Sequence, residues 1–536
     1  MQKLLLLGDE AIAQAAIDAG ISGIYAYPGT PSTEITEYIQ KSKEAAEKNI
    51  HRTWAANEKT ALETAIGMSY AGKRAMASMK HVGLNVAADP FMNVAITGAN
   101  GGLVIVVADD PSMHSSQNEQ DSRTFGRFSM IPIFEPSNQQ EAYDMTRYAF
   151  NFSEQYQIPV IVRITTRLAH SRSGVTMAKK QEENKLQMPK NLRQYVLLPA
   201  IARKQYNELI EKQVHFEEES ENSIYNKFIE GSDKSMGIIA SGIAYNYLME
   251  NYPDRKCPYP IIKLSQYPIP RKMIKKLYDM CDSIMVMEEG YPIIEELLRG
   301  ILDDGKTIKG RLDGSLPRAG ELDPNSVAKA LGFKRYEGNP VPEVVKQRPP
   351  ALCVGCSHID SYNALNEAIK KYGEGRVFAD IGCYTLGALP PFNAINSCVD
   401  MGASITMAKG AANAGLVPAV AVIGDSTFTH SGMTSLLDAI IDKTPITVLI
   451  LDNSTTGMTG GQDSHGFGRI EDICLGLGVE REHLHIIKPL RKNHEENVAL
   501  IADELAYDGV SVIIPTRECI QTLNRRMRQK FKAKAE

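Results

Sequence analysis

Gly424-Asp425-Ser426, separated by 26 residues from Asn453, is the group whose residue types and spacing are best suited to binding a metal and a phosphate. One carboxylate, one amide oxygen and a nearby backbone carbonyl form a hard oxygen site of the kind that Mg²⁺ prefers when phosphate oxygens complete its octahedron. Backbone amides at a helix N-terminus after Ser426 would help to hold a diphosphate. The alternative is an ordinary strand–helix–strand crossover with polar loop ends. The spacing to Asn453 favours the metal–diphosphate site.

Two apolar runs and one helical pattern would position these side chains. Residues 419–423 and 446–451 have the composition of buried strands, and residues 431–442 have the length and pattern of a helix. Neighbouring parallel strands end at the same edge of a sheet, and ligands bind outside those carboxyl ends. Asn453 is therefore expected to return to the sheet edge that carries Asp425.

This motif resembles the signature of thiamine-diphosphate enzymes. The resemblance implies that Asp425 and Asn453 bind Mg²⁺ through their side chains and that the backbone carbonyl of Thr455 is the third protein ligand. It also implies that Gly424 and Ser426 belong to the part of the site that holds the cofactor's diphosphate.

Glu58 begins an Ala-rich helical pattern over residues 58–70. The segment resembles the one that carries the catalytic glutamate of thiamine enzymes, whose carboxyl group hydrogen-bonds the aminopyrimidine ring and supports proton transfer. An acid that complements a helix dipole is the alternative, and the diphosphate motif favours catalysis. In thiamine enzymes the two halves of the cofactor site come from different domains. The resemblance therefore implies that Glu58 and Asp425 meet across a domain or subunit interface, and it favours a dimer.

Five longer stretches narrow the family. Together they resemble the large (alpha) subunit of indolepyruvate ferredoxin oxidoreductases, a branch of the thiamine-diphosphate 2-oxoacid oxidoreductases, from near residue 1 to about residue 525. The stretches are residues 27–35, 79–85, 109–121, 352–356 and 458–462.

The resemblance implies oxidative decarboxylation of an aryl-pyruvate such as indolepyruvate to an acyl-CoA, with CoA and ferredoxin as co-substrates. Thr30 matches the substrate-side threonine of these enzymes, and a turn hydroxyl beside Pro31 is the alternative. A smaller beta subunit normally completes such enzymes, so a dimer within a hetero-oligomer is expected. Full-length relatives carry a C-terminal ferredoxin-like domain with dense cysteine runs. This sequence has none, which leaves the electron acceptor open.

Four of the eight cysteines fall in the order of the cluster ligands of related oxidoreductases. These are the Cys353/Cys356 pair, Cys383 in an Ile-Gly-Cys segment, and Cys519 near the end of the last domain. The resemblance implies one [4Fe–4S] cluster, for which four thiolates suffice. Zn²⁺ could use the same ligands, and unliganded thiols are the third alternative.

Two histidines and three charged residues are further candidates. His81 and His430 lie in segments that could face the cofactor and move protons, although a histidine satisfied by backbone carbonyls is common. Arg123 could bind a substrate carboxylate or form a surface ion pair. Glu288 and Glu289 follow a predicted strand and are expected in a solvated loop.

The order of strand and helix patterns predicts an α/β protein with three doubly wound parallel-sheet domains of the transketolase/2-oxoacid oxidoreductase type. The predicted parts are a pyrimidine-binding domain (1–175), a charged connecting segment (176–234) with a helix near 200–212, a small α/β domain (235–311), a Pro- and Gly-rich linker (312–350), a diphosphate- and Mg²⁺-binding domain (351–522) and a basic tail (523–536).

Composition excludes several classes of function. The chain of 536 residues has a formal net charge of -5 and no basic stripe, so no nucleic-acid partner is expected. It has no apolar run long enough for a membrane span and no recognisable signal peptide, and residues 1–7 read as a buried first strand. Its sparse cysteines suit a reducing compartment. A cytoplasmic protein with no membrane partner is expected.

Three hypotheses of function follow. The first is the redox enzyme described above, with electrons leaving through an iron–sulfur centre. The second is a non-redox decarboxylase or carboligase on the same scaffold, which absence of iron would favour. The third is a scaffold subunit that binds the cofactor without catalysis, since fold alone does not establish activity.

Overall fold

The computed structural model describes residues 3–191, 193–300, 306–317, 320–346, 351–398, 400–413 and 415–532. The chain divides into two compact units, Met1–Asn339 and Pro340–Glu536. Every predicted segment has residues outside the described part, namely 1 and 2 of the pyrimidine-binding domain, 192 of the connecting segment, 301–305 of the small domain, 318, 319 and 347–350 of the linker, 399 and 414 of the diphosphate-binding domain, and 533–536 of the basic tail.

The first unit alternates strands and helices along the chain. Its described strands are β1 (Lys3–Leu7), β2 (Gly23–Ala26), β3 (His51–Trp54), β4 (Ala75–Lys80), β5 (Leu103–Asp109), β6 (Ile133–Phe134), β7 (Val160–Thr165), β8 (Arg172–Thr176), β9 (Lys227–Ile229), β10 (Gly237–Ser241), β11 (Ile261–Leu264), β12 (Gln266–Tyr267), β13 (Ser283–Met287) and β14 (Thr307–Lys309). Its described helices are α1 (Gly8–Asp18), α2 (Thr33–Lys41), α3 (Lys43–Glu47), α4 (Glu58–Tyr70), α5 (His81–Val86), α6 (Ala88–Thr97), α7 (Arg123–Ser129), α8 (Gln139–Tyr156), α9 (Thr166–His170), α10 (Pro199–Glu221), α11 (Ala244–Glu250), α12 (Arg271–Met280), α13 (Ile293–Arg299) and α14 (Pro324–Ala330).

The larger sheet of this unit has the strand order β12-β6-β7-β5-β4-β2-β3 in the described part of the chain. All its pairings are parallel except that of β12 with β6. Every residue of β4, β5 and β7 is buried, as expected for strands covered by helices on both faces. The predicted doubly wound α/β fold is confirmed.

The second sheet of the first unit has the order β14-β13-β10-β11-β9, with β9 antiparallel at its edge. The two sheets are joined because β12, from the second segment, pairs with β6 of the larger sheet. One continuous apolar core contacts both sheets. Helix α10 is longer than the predicted helix at 200–212, and it buries Leu209 and Phe216 in that core.

The described strands of the second unit are β15 (Val377–Ala379), β16 (Ser397–Cys398), β17 (Ala419–Gly424), β18 (Ile446–Leu451), β19 (Thr455–Thr456), β20 (Gln462–Asp463), β21 (Leu484–Ile487) and β22 (Val510–Pro515). Six of them form a parallel sheet with the order β16-β15-β17-β18-β22-β21. The described helices of this unit are α15 (Ser357–Ile369), α16 (Ala403–Asn413), α17 (Asp425–Thr427), α18 (Met433–Ile441), α19 (Ile470–Leu477), α20 (His494–Glu504) and α21 (Ile520–Lys532).

Two local expectations were wrong. The first strand, β1, is only partly buried, because it pairs with β8 in a two-stranded antiparallel ribbon that buries Leu6 but leaves Leu5 68% exposed. The helix predicted over 431–442 begins earlier, because α17 and a π-helical turn at Phe428–Gly432 lead directly into α18. Among the described helices, none is both long and apolar enough to cross a bilayer.

Candidate active site

The carboxyl edge of the second unit's sheet brings the predicted metal ligands to adjacent strand ends. In the register of β17 with β18, Gly424 pairs with Leu451. Asp425 therefore leaves the sheet beside Asp452, and Asn453 follows one residue later. The predicted return of Asn453 to the sheet edge of Asp425 is confirmed. It could be predicted because both strands are fully buried and therefore appear in the sequence as apolar runs.

Asp425 has the electrostatics of a residue built to receive a cation. Its side chain is buried, and burial together with the charge of Asp452 raises its pKa to about 7. Its Oδ2 atom has no hydrogen-bond partner among the described residues. A buried carboxylate is costly without a counter-charge, and a divalent ion would supply both the charge and the missing contact. The site therefore fits Mg²⁺.

Asn453 is oriented by two neighbours. The amide of Thr455 donates to its Oδ1 at 3.1 Å, and its Nδ2 lies 3.2 Å from Nε2 of His358. Burial lowers the pKa of His358 to about 4, so the imidazole is neutral and can accept from the Asn453 amide. With Nδ2 engaged in this way, Oδ1 is the atom left to bind a cation.

The loops around this edge are closely packed. A Cβ at Gly424 would lie 2.6 Å from Cε1 of Tyr384, so glycine is required there. The hydroxyl of Ser426 is 3.0 Å from that of Thr456, and Thr455 donates to the carbonyl of Gln462 at 2.9 Å. His430 is buried in the π-helical turn, with Nδ1 2.5 Å from Oγ of Ser431. Its role in proton transfer stays a prediction.

The four predicted cluster cysteines are brought together beside the same edge. The pKa of Cys383 is raised to about 12, mainly by burial and to a smaller extent by nearby Cys519, Cys356, Cys353 and Asp425. The backbone amide of Cys519 donates to the carbonyl of Asn453 at 3.1 Å. A Cβ at Gly457 would lie 2.8 Å from the Cys383 sulfur. The thiols and the metal–diphosphate loop therefore form one neighbourhood.

No three of the four thiols converge within 4.8 Å of one another in the described part of the chain. A tetrahedral Zn²⁺ site would hold its cysteine sulfurs about 3.8 Å apart. In the described residues, the one group of three metal-ligating side chains that converges within 4.8 Å contains no cysteine. In a cubane each sulfur binds its own iron, which separates the sulfurs more widely.

In the first unit, Glu58 is held at the start of α4. Asn57 caps this helix, with its side chain accepting from the Thr60 amide at 2.9 Å. Glu58 is 6% exposed, and it packs against Gly83 of α5 so closely that a Cβ there would lie 2.6 Å from its Oε1 atom. The helix geometry and the missing side chain at Gly83 together define the position of this carboxylate.

Lys80 lies beside Thr30, on the predicted substrate side of this unit, and was not predicted from the sequence. Thr30 is half-buried, and its carbonyl accepts from the Ser115 hydroxyl at 3.1 Å. Lys80 donates to the carbonyl of the same Ser115 at 2.8 Å. Burial lowers the pKa of Lys80 to about 8, although Asp110 and Glu58 oppose this effect. The Met79-Lys80-His81 stretch signalled the family, but its spacing gave no sign of this contact.

His81 begins α5 and is buried, with Nε2 3.2 Å from the carbonyl of Asn118. Its Nδ1 has no hydrogen-bond partner within the described part of the chain. This geometry leaves one ring nitrogen available for the predicted proton transfer, which stays a prediction.

Arg123, Glu288 and Glu289 were misplaced by the sequence. Both alternatives for Arg123 were wrong, because its guanidinium is buried and bonds Asp121 and Glu288. Glu288 and Glu289 are buried rather than solvated. These residues belong to an ion network that links the two sheets of the first unit. Their charge suggested solvent exposure, but partners from other elements allow them to be buried.

Two regions of the chain match known protein families. Residues 14–233 match the family described as pyruvate flavodoxin/ferredoxin oxidoreductase, thiamine diphosphate-binding. Residues 380–482 match the C-terminal thiamine pyrophosphate-binding domain of thiamine pyrophosphate enzymes. Each match includes residues discussed above, Glu58 in the first and Asp425 with Asn453 in the second.

Curated relatives match nearly the whole chain. The indolepyruvate oxidoreductase subunit IorA of Archaeoglobus fulgidus is 39% identical, covering 99% of this chain and 89% of the relative. The IorA subunit of Methanothermobacter marburgensis is 39% identical, with 97% and 87% covered. A solved 2-oxoglutarate:ferredoxin oxidoreductase from Magnetococcus marinus, with 2-oxoglutarate, coenzyme A and succinyl-CoA bound, matches at a TM-score of 0.46 and 17% identity, over 57% of this chain and 62% of that one.

Proposed function

The chain belongs to the family of indolepyruvate oxidoreductase IorA subunits, and from this we propose that it catalyses oxidative decarboxylation of a 2-oxo acid with thiamine diphosphate as cofactor and ferredoxin as electron acceptor. The preferred substrate class is an aryl-pyruvate such as indolepyruvate, and CoA takes up the acyl group. The balanced reaction converts the 2-oxo acid and CoA to acyl-CoA, CO₂, one proton and two electrons.

The register of Gly424 with Leu451 carries this proposal, because it sets Asp425 and Asn453 side by side at the sheet edge. Asp425 and Asn453 would hold Mg²⁺ through their side chains and Thr455 through its carbonyl. The amides of α17 would donate to the diphosphate. When bound, thiamine diphosphate supplies an electron sink for the carbanion left by decarboxylation.

The first unit would supply the acid–base and substrate groups. Glu58 would accept or donate the proton on the aminopyrimidine ring. Thr30 would bind the substrate's oxygen atoms, and the Lys80 ammonium would attract its carboxylate. His81 and His430 are candidates for moving protons to and from solvent.

The four thiols would carry electrons by ligating one [4Fe–4S] cluster. Burial raises the pKa of Cys383 and of Cys356, so these thiols would lose their protons only as iron binds. The proximity of Cys519 to Asn453 would put the cluster beside the diphosphate loop. A smaller partner subunit and self-association into a dimer would complete the assembly. A location in the reducing cytoplasm suits such thiols.

The test is iron and acid-labile sulfide on the full chain purified without oxygen, with an electron paramagnetic resonance spectrum after reduction. About four irons per chain are expected, with loss of the cluster in Cys353→Ser and retention in the matched control Cys257→Ser. Protein that binds thiamine diphosphate but contains no iron would overturn the redox proposal in favour of a non-redox decarboxylase.

Activity is then measured with the partner subunit, CoA and ferredoxin on indolepyruvate, pyruvate and 2-oxoglutarate. The highest kcat/KM is expected on indolepyruvate. Glu58→Gln should lower kcat at least about 100-fold, and Lys80→Met should mainly raise KM. Equal turnover by Glu58→Gln would favour the scaffold hypothesis.

A further inference from the structure

Asp9, Glu34 and His170 converge in the first unit, outside the groups assigned above. They come from three helices, α1, α2 and α9. One potential ligand atom from each lies within 4.8 Å of those from the other two. This cluster is named the Asp9 triad below.

Asp9 is the unusual member of the triad. Its exposed fraction is 0%, and neither carboxylate oxygen has a hydrogen-bond partner within the described residues. Burial raises its pKa well above the ordinary value, and the nearby charges of Glu34 and Glu10 add to this effect. An ionised carboxylate is not stable in such surroundings without a cation or donors.

Glu34 and His170 provide the other side of the cluster. The Oε2 atom of Glu34 is buried without a hydrogen-bond partner in the described part of the chain. Nε2 of His170 is 3.6 Å from it, the distance of a loose ion pair, and Glu34 raises the pKa of His170. Asp9 thus lies beside one loose Glu34–His170 ion pair and has no bond of its own.

We propose that the Asp9 triad binds a divalent transition-metal ion of the zinc type, in addition to the Mg²⁺ proposed at Asp425. One imidazole nitrogen and two carboxylates suit Zn²⁺ and its neighbours, whereas Mg²⁺ and Ca²⁺ prefer oxygen ligands alone. Two carboxylates also balance the charge of the ion.

The triad needs only a small contraction to bind such an ion. Tetrahedral ligands at zinc distances lie about 3.3 Å apart, against the 4.8 Å limit within which these atoms already fall. The side chains of Glu34 and His170 are 38% and 35% exposed, so they are able to close on the buried Asp9. A surface depression lined by Glu34, Glu10 and Tyr38 opens beside one member of the triad, Glu34.

The bound ion would stabilise the loop that carries Thr30. Glu34 lies in the first turn of α2, four residues after Thr30, whereas Asp9 and His170 belong to other helices. A metal crosslink among α1, α2 and α9 would restrict movement at the start of α2. Zinc is therefore expected to raise the melting temperature of the protein.

The experiment uses the full chain, stripped of metal and returned to excess Mg²⁺, and titrates it with Zn²⁺. Wild type should bind one zinc more than Asp9→Asn, and the matched control Glu37→Gln should bind as wild type does. His170→Ala, which changes an exposed side chain, should weaken this site at least about 10-fold. It provides the test if Asp9→Asn does not fold.

X-ray absorption at the zinc edge separates this site from the cysteines. The zinc that is lost in the triad variants should show bonds to nitrogen and oxygen of about 2.0–2.1 Å, without the sulfur shell near about 2.3 Å. Equal zinc binding by wild type, Asp9→Asn and His170→Ala would overturn the proposal, as would zinc bound through sulfur alone. Asp9 would then be a buried neutral acid. Loss of iron in Cys353→Ser tests the redox function separately.

Discussion

Burial of the Asp425 carboxyl group suits metal binding, but it also reduces the stability of the metal-free chain. Its pKa rises from the ordinary value of 3.8, expected in the unfolded chain, to about 7 in the folded protein. The folded state therefore retains a proton that the unfolded chain releases, and stability falls as pH rises through that window. Without metal, Asp425→Asn should be more stable than wild type at pH 8 by on the order of 1–3 kcal/mol, with the difference shrinking towards pH 4.

Thermal unfolding at both pH values measures this effect. Mg²⁺ with thiamine diphosphate should raise the melting temperature of wild type at pH 8 but not that of Asp425→Asn. An equal rise in the two proteins would remove Asp425 from the metal site.

His358 is expected to act through Asn453 rather than on the cofactor. Loss of its Nε2 acceptor in His358→Ala frees the Asn453 amide to rotate, so the Kd for Mg²⁺ with thiamine diphosphate should rise about 10- to 100-fold. His358→Gln keeps an acceptor and should recover part of the affinity. Calorimetric titration measures both. If His358→Ala and His358→Gln weaken the affinity for Mg²⁺ with thiamine diphosphate equally, the loss of packing rather than of the acceptor is the cause.

At the scale of elements, the contact of α5 with the start of α4 positions Glu58. In Gly83→Ala the new Cβ would meet Oε1 of Glu58 at 2.6 Å, so the carboxylate must move. A displacement of this order should lower kcat at least about 10-fold in the reconstituted enzyme. Steady-state kinetics with saturating thiamine diphosphate measures it.

Gly67→Ala on the same helix is the matched control. A Cβ there meets nothing within 4 Å, and alanine in a helix interior is more stable than glycine by about 0.5–1 kcal/mol. This variant should gain stability and keep its kcat. Equal kcat in Gly83→Ala and Gly67→Ala would show that Glu58 tolerates the displacement.

At the scale of the whole molecule, buried charges join the two sheets of the first unit. Arg123 bonds Asp121 and Glu288, and Arg163 bonds Asp109 and the carbonyl of Glu289, all of these residues being buried. Removal of one partner leaves uncompensated buried charge, so Arg123→Gln should cost about 3–5 kcal/mol. Faster amide hydrogen exchange in β13 and α13 of the full chain would report the loss.

Arg127→Gln is the control for this prediction, because Arg127 belongs to the same helix, α7, and is exposed. Its exchange rates should match those of wild type. Unchanged exchange in Arg123→Gln would mean that apolar packing alone joins the sheets.

The sequence by itself determined the features that depend on local pattern. Buried strands appear as short apolar runs, and polar residues directly after them must lie at the sheet edge, so Asp425 and Asn453 could be placed in advance. The start of α4 at Glu58 followed from helix pattern, and the order of the cysteines followed from the family resemblance. The confirmed α/β fold and family rest on the same signals.

Only the tertiary structure decided which distant residues meet. His358 lies 95 positions from Asn453, and Arg123 lies 165 from Glu288, so no local period connects them. Burial of a charge depends on partners from other elements, which is why Arg123, Glu288 and Glu289 were misread. The Asp9 triad likewise exists only because three helices converge, since none of its members has a sequence neighbour that signals a ligand.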